Sequence, residues 1–385
     1  MHEGQEAASH GLAATESSLL QQARTLLRAR LLSRACIVGL SGQKTRPTDR
    51  HRIALADSGV PEERRGFVNA HWYSTLLVLC LIEPVLGQLN PHKVLNDAQV
   101  LENRGNFEMA AEYAKLALDS GKLSGAELGR GYMILGLSSQ ERGKFIDAQI
   151  AFEHSLRILK HDREHVEDYA SALENYGGLN LELGQLDVAL PMCRKALRLR
   201  QKIGDHTGTA LSLMKLAQLA LARNRVREAH KYLQQASYPI QTAADITDDD
   251  RAFFAETQGS LAMAEHKASA AIALYQHALE LLKQCRGEQY WRVGGEYVLL
   301  GYANAESGDS SVALADMRKG LAILDNGLGK GNPKYLVAEL AYAKVLDRIG
   351  LRVEAAQVRR MVERARKDQS GNQCAGCTIS VAAFQ

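Results

Sequence analysis

Three places in the 385-residue sequence hold side chains whose type and spacing could do chemistry. His161 and His165 stand four apart in the segment HDREH with Glu164 between them, a spacing at which two imidazoles can share a metal ion. No third ligand lies nearby, and a solvated charged link between two apolar stretches is the simpler reading, so no metal is expected. Cys374 and Cys377 form a C-x-x-C pair in a tail rich in Gly, Gln and Ser. A reactive thiol needs a strand-to-helix setting that lowers its pKa, and none is present; the pair reads as inert thiols or, in an oxidising compartment, a tail disulfide. The run Thr247-Asp248-Asp249-Asp250 lacks the alternation and the closing Glu of a calcium loop. It reads as a helix start, where carboxylates accept orphan N–H groups and complement the helix dipole.

Beyond these the sequence contains no phosphate-cradling glycine motif, no G-x-S-x-G elbow and no H-E-x-x-H. Nothing gathers a nucleophile, a base and oxyanion donors, so the expectation is a non-enzymatic protein without a cofactor. Apolar residues at 46% and charged residues at 24% describe a folded chain, and the few aromatics and prolines beside abundant Ala and Leu favour packed helices. The formal charge of +3 resides entirely in residues 1–67, and the remainder is neutral. A neutral surface lacks the basic face that phosphate neutralisation requires, which argues against nucleic acid as a partner.

The first ninety residues read differently from the rest. The stretch Thr75–Ile82, TLLVLCLI, follows Arg64 and Arg65 and precedes Val85 and Gly87, a basic flank, short apolar core and small residues in the pattern of a secretory signal cleaved after Gly87. It is short for a membrane span, and an uncleaved internal anchor or a buried helix are the competing readings. Residues 1–67 read as a poorly structured or wrongly included extension, because no methionine lies between Met1 and Met109 and a valine codon such as that of Val60 could start translation. Within it Ser18–Leu40 could form a basic amphipathic helix suited to a membrane surface. The expected organisation is thus an extension at 1–67, a signal-like or anchor segment at 68–87, a helical array at 90–368 and a flexible tail at 369–385. The corresponding location is exported, periplasmic or membrane-associated in a bacterium, with membrane contact through 68–87, and otherwise cytoplasmic.

From Asn90 onward turn signals recur at Gly105, Gly143, Gly184, Asn224, His266, Gly308 and Gly350, at intervals of 38 to 42. Five residues past each turn stand Ala110, Ala148, Ala189, Ala229, Ala271, Ala313 and Ala355. Seven before each stand Ala98, Gly136, Gly177, Ala217, Gly259, Gly301 and Ala343. Small residues at facing positions let the two helices of a hairpin cross closely. Twelve past the turns, Ala117, Ser155, Ala196, Ala236, Ala278 and Gly320 should serve the contact with neighbouring hairpins, and Val362 departs from the rule as a terminal unit with no next repeat to meet. Helix pairs are expected near 91–104 and 107–120, 126–141 and 144–160, 166–183 and 186–203, 206–223 and 226–241, 248–265 and 268–285, 290–306 and 310–325, and 333–348 and 352–368.

These columns, set among Leu135, Phe152, Leu156, Leu197, Leu216, Tyr275 and Leu279, resemble the tetratricopeptide repeat (TPR) family over about Asn90–Lys367. A period near 42 is similar to the longer-helix, kinesin-light-chain-like subset. His266 at a turn, and Asn180 and Asn304 where Leu or Tyr is usual, depart from the pattern. The resemblance implies an all-α, right-handed solenoid of about seven hairpins whose first helices line a concave groove, and a scaffold that holds a protein or peptide partner there. Counted from the turns in that way, groove-facing residues are Met133, Leu137, Gln140, Glu174, Met214, Gln218, Leu221, Glu256, Met263 and Tyr302. TPR co-chaperones hold a peptide carboxylate with cationic donors, whereas Glu174 and Glu256 occupy the middle of this groove, which argues against that kind of adaptor.

Overall fold

In a computed structural model of the chain the described residues are 90–370, all of them helix or short connection, with no strand among them. The segments 1–67 and 68–87, the helix expected at 18–40 and the Cys374–Cys377 pair lie outside the described residues.

Seven antiparallel helix pairs follow one another: α1 (Pro91–Asn103) with α2 (Phe107–Asp119), α3 (Gly125–Glu141) with α4 (Phe145–Leu159), and α5 (Val166–Glu182) with α6 (Leu186–Ile203). Then come α7 (His206–Ala222) with α8 (Val226–Thr242), α9 (Asp248–Ala264) with α10 (Ala268–Arg286), α11 (Trp291–Ser307) with α12 (Ser310–Leu328), and α13 (Pro333–Arg348) with α14 (Arg352–Ser370). Each pair falls within a few residues of its expected position. None of the described helices is long and apolar enough to cross a membrane.

All seven turn residues adopt left-handed backbone conformations, including the two that are not glycine, Asn224 (φ 56°) and His266 (φ 58°). The reason is a repeated helix ending in which the N–H after the turn residue reaches back five positions, as in Asn106 to Leu101, Lys144 to Ser139, Arg225 to Ala220 and Lys267 to Ala262. This ending satisfies carbonyls that would otherwise be orphaned, and it demands φ > 0 at the turn residue whatever its identity. His266 is therefore a repeat position, and its departure from glycine costs the unit only local strain.

The small-residue columns sit where the hairpin helices cross. Every alanine five past the turn is fully buried. Seven before the turn, a Cβ added at Gly136 would lie 2.8 Å from Phe152, at Gly177 2.6 Å from the Cys193 sulfur and at Gly259 2.5 Å from Tyr275. The column twelve past the turn behaves differently from expectation, because it packs inside its own hairpin. Ser155 donates to the Gly129 carbonyl at 2.8 Å, and a Cβ at Gly320 would meet the Gly294 carbonyl at 2.6 Å. Antiparallel helices bring twelve past the turn opposite fourteen before it, and that second column is small as well: Gly129, Ala170, Ala210, Ala252 and Gly294. In the last hairpin the matching pair is Leu336 and Val362, both buried in one cluster with Val345. The size of Val362 thus reflects its partner within the hairpin, and the missing next repeat does not explain it.

The array also touches itself far along the chain. The Asn332 amide donates to the Glu141 carbonyl at 2.7 Å, 191 residues away, and Lys334 pairs with Glu141 at 3.3 Å and Glu182 at 2.7 Å. A Cβ at Gly143 would lie 2.5 Å from Pro333, and one at Gly105 would lie 3.2 Å from the Tyr290 ring. Arg286 donates to the Asn103 carbonyl. The links before α11 and α13 therefore close onto the ends of α1, α3 and α5, and the odd-numbered helices enclose a narrow interior.

Candidate functional site, the concave face

The interior is built from the odd helices. Glu102 (α1), Glu141 (α3), Glu182 (α5), Asp249 and Glu256 (α9), Arg292 and Glu296 (α11) and Lys334 (α13) form one electrostatic network, joined by Arg286 from the end of α10. Arg286 pairs with Asp249 at 2.6 Å, and Arg292 bridges Asp249 and Glu256, the latter at 3.2 Å. Lys334 spans Glu141 and Glu182 while its ammonium lies 4.9 Å from the centre of the Trp291 ring. Phe253 is flanked by Lys215 at 4.9 Å and Arg292 at 5.9 Å.

Six carboxyl groups thus lie among three ion-paired cations, and burial raises Glu102, Glu141 and Glu296. Burial, reinforced by Glu141, pushes the Glu102 carboxyl up to about 7. Burial raises Glu141 as well, opposed by Lys334 and added to by Glu182. Glu296 is 2% exposed, and burial followed by its neighbour Glu256 lifts it well above the carboxylate range. Lys334 and Arg292 are raised too, for a different reason: burial opposes their charge, but the carboxylates around them outweigh it and hold both firmly protonated. Three polar atoms in this interior, Glu141 Oε2, Trp291 Nε1 and Glu296 Oε2, are buried without a hydrogen-bond partner.

Of the residues expected to face the groove, Glu256 is paired with Arg292 in this network, and Gln218 lies beside Lys215, its amide oxygen 3.4 Å from the ammonium. Met133 and Leu137 pack partly buried against the core beside α4, Leu221 against that of the fourth hairpin, Met263 against that of the fifth and Tyr302 against that of the sixth. Three placements are corrected. Met214 is fully buried in the core with Ala217, Leu233 and Ala236, Gln140 is buried, and Glu174 is enclosed between Ser212, which donates to it at 2.7 Å, and Arg200 at 3.5 Å. First helices contact their own partner and both neighbouring hairpins, so they are apolar on most sides and a phase counted from the turn does not mark the one open stripe.

Asp249, Arg292, Glu296, Glu141 and Lys334 were not singled out from sequence. Asp249 was visible only as part of the acidic helix start, and that reading accounts for its neighbours: Thr247 caps α9, with Asp250 closing a reciprocal capping box at 3.2 and 2.9 Å. Asp249 itself turns into the interior. The HDREH segment forms the link into α5, where Asp162 accepts the Glu164 and His165 backbone N–H groups at 3.0 Å and lies 3.2 Å from the His165 ring. Among the described residues no three His, Cys, Asp or Glu side chains converge as metal ligands.

The tetratricopeptide repeat family profile matches residues 168–237, which spans most of α5 through α8. No curated protein matches in sequence. Among solved structures, a Rap protein complexed with competence and sporulation factor is 13% identical, with a TM-score of 0.55 over 81% of this chain and 100% of its own. The Rap conjugation gene regulator of plasmid pLS20, in complex with the Phr* peptide, is 11% identical with a TM-score of 0.57 over 73% of this chain and 76% of its own. A kinesin light chain with nearly identical TPR-like repeats, from Podosopora anserina, is 19% identical with a TM-score of 0.39 over 55% of this chain and 98% of its own. The profile match, the hairpin geometry and the likeness to the Rap structures together identify residues 91–370 as a TPR-like α-solenoid, with tetratricopeptide repeats matched at 168–237.

Proposed function

We propose that the protein is a non-enzymatic TPR scaffold that holds a peptide segment of a partner in its concave face, and that the segment carries positive charge. The observation behind this reading is the imbalance of the interior, where Glu102, Glu141, Glu182, Asp249, Glu256 and Glu296 outnumber Arg286, Arg292 and Lys334. Each of those three cations is already engaged by a carboxylate, and Lys215, which lies over Phe253 beside Gln218, is a single further cation against six carboxyl groups. A cationic side chain or amino terminus would stabilise the charged form of Glu102 and Glu141, which burial disfavours, and Phe253 and Trp291 offer apolar contact beside it. The 38 to 42-residue period supports membership of the kinesin-light-chain-like subset.

The test is fluorescence anisotropy with synthetic peptides of equal length and apolar content but opposite net charge. The cationic peptides should bind in a salt-sensitive way, and Glu182→Gln with Glu256→Gln should weaken them about tenfold. Equal binding of both charge types, or of neither, would sink the proposal. The signal-like stretch at 68–87 supports an exported or envelope-associated protein, for which the mature chain isolated from cells should begin at Gln88. A second reading, a cytoplasmic peptide-sensing regulatory module, is favoured by the similar Rap structures, one in complex with the Phr* peptide and one with competence and sporulation factor. Retention of residues 1–87 would select it.

A further inference from the structure

Between the fifth and sixth hairpins the two lysines Lys283 of α10 and Lys319 of α12 converge on one aromatic ring. Their ammonium groups lie 5.1 and 4.4 Å from the centre of the Tyr297 ring, which α11 presents between them and which is 6% exposed. Among the described residues neither ammonium has a carboxylate within ion-pair distance, 4.0 Å. Asp316 accepts a hydrogen bond from Asn304 at 2.9 Å, and it and Glu288 favour the charge on Lys319 from beyond ion-pair distance. A concavity of about 210 Å³ opens over these three residues, lined also by Glu288, Gln289, Ile323 and Asn326.

Two like charges gathered over one ring repel each other, and the ring quadrupole offsets only part of that cost at a partly solvated site. Burial raises the Tyr297 phenol, yet hydrogen bonding and charge from Lys283 and Lys319 outweigh it and hold the hydroxyl below its ordinary value. A site that favours the ionised form of its own tyrosine is already arranged to stabilise an oxyanion. The donors present, two ammonium groups, a phenol and the side-chain amides of Gln289 and Asn326, suit a tetrahedral anion with several acceptor oxygens.

We propose that Lys283, Lys319 and Tyr297 form a binding site for a phosphate group, independent of the concave face. The phosphate sits between the two ammonium groups at the mouth of the concavity, and Ile323 and the Tyr297 ring provide a wall against which an organic substituent can rest. The shared chemistry is the phosphate dianion, free or as the monoester of a small molecule.

The experiment uses the full chain and titrates inorganic phosphate and, separately, phenyl phosphate by isothermal calorimetry in a chloride background, with sodium sulfate and added sodium chloride as controls. Saturable binding of phosphate, weakened about tenfold or more by Lys283→Gln with Lys319→Gln, is the expected result. Tighter binding of phenyl phosphate would assign the site to a monoester, and equal or tighter binding of inorganic phosphate would assign it to the free ion. A second readout follows the tyrosine ultraviolet difference spectrum. Phosphate should move the Tyr297 titration upward, a shift absent in Tyr297→Phe, because an anion placed between the lysines removes their stabilisation of phenolate. No saturable heat with either phosphate, an equal response to chloride, or an unmoved Tyr297 titration would overturn the proposal.

Discussion

Glycine in this array has two opposite meanings at the residue scale, and the difference is measurable. Gly301 and Gly295 both lie in α11, but a Cβ at Gly301 would stand 2.9 Å from the Ala313 carbonyl oxygen and 3.0 Å from the Met317 backbone nitrogen, whereas Gly295 has open space. Backbone cannot swing aside as a side chain can, so Gly301→Ala should cost about 1–3 kcal/mol in urea unfolding. Gly295→Ala should gain about 0.5–1 kcal/mol, because only the entropy of the unfolded glycine changes. The interior carboxyl groups give a pH signature at the same scale. Glu102 titrates near 7 when folded and near 4.5 as the unperturbed group, so the folded chain binds more protons than the unfolded chain between those values. Stability from this group is complete below about 4.5 and is lost as the pH rises through 7. The melting temperature should therefore fall from pH 5 to pH 8, and Glu102→Gln should flatten part of that fall; an unchanged slope would remove Glu102 from the cause. The residue types that keep helices close were readable along the chain because each column answers to a neighbour within its own hairpin. Glu102 and Asp249 were not, since an acidic residue near a helix end looks the same whether it faces water or another helix.

The helices and turns themselves were legible because both are local devices. A left-handed helix ending needs its turn residue at one position, and the crossing of two helices needs small residues at a fixed distance from that turn, which together set each hairpin within a few residues. The phase of the first helices was not legible for the reason that misplaced Met214 and Glu174: a helix packed on three sides hides its single open stripe in an almost continuous apolar pattern. Nor was the closure of the links before α11 and α13 onto earlier turns, which has no period. Gly143 and Gly350 separate the two kinds of information. Both have positive φ, 72° and 89°, and alanine at either should cost roughly 1–2 kcal/mol for the left-handed conformation. Only at Gly143 would the new methyl also meet Pro333, while Gly350 has nothing nearby. Gly143→Ala should therefore lose about 1–3 kcal/mol more than Gly350→Ala and should enlarge the radius of gyration in small-angle scattering. Equal losses and equal radii would mean that the link before α13 does not bear on the α3–α4 turn.

An open helical array is close to a one-dimensional chain, in which each hairpin contacts only its neighbours and unfolding can start at an end and spread. This molecule adds contacts that skip over the middle. Lys334 and Asn332 hold the seventh hairpin to the second and third, and Arg286 and Tyr290 hold the start of the sixth to the first. Losing an end hairpin then costs two interfaces instead of one, and it leaves Glu141 and Glu182 partly enclosed without their cation. The expected consequence is a single cooperative unfolding transition for the intact chain. Asn332→Asp with Lys334→Met removes the donors of the cross-contact while keeping the side-chain acceptor that caps α13, so it should lower the melting temperature and divide the calorimetric transition into two. Hydrogen exchange should locate the earlier one in α13 and α14, with α5 to α8 protected to a higher temperature. A variant that melts lower but still in one step, with exchange uniform along the helices, would show that nearest-neighbour packing alone carries the cooperativity. The enclosed acidic interior would then be a consequence of how tightly the hairpins stack, and the closing contacts would not hold it shut.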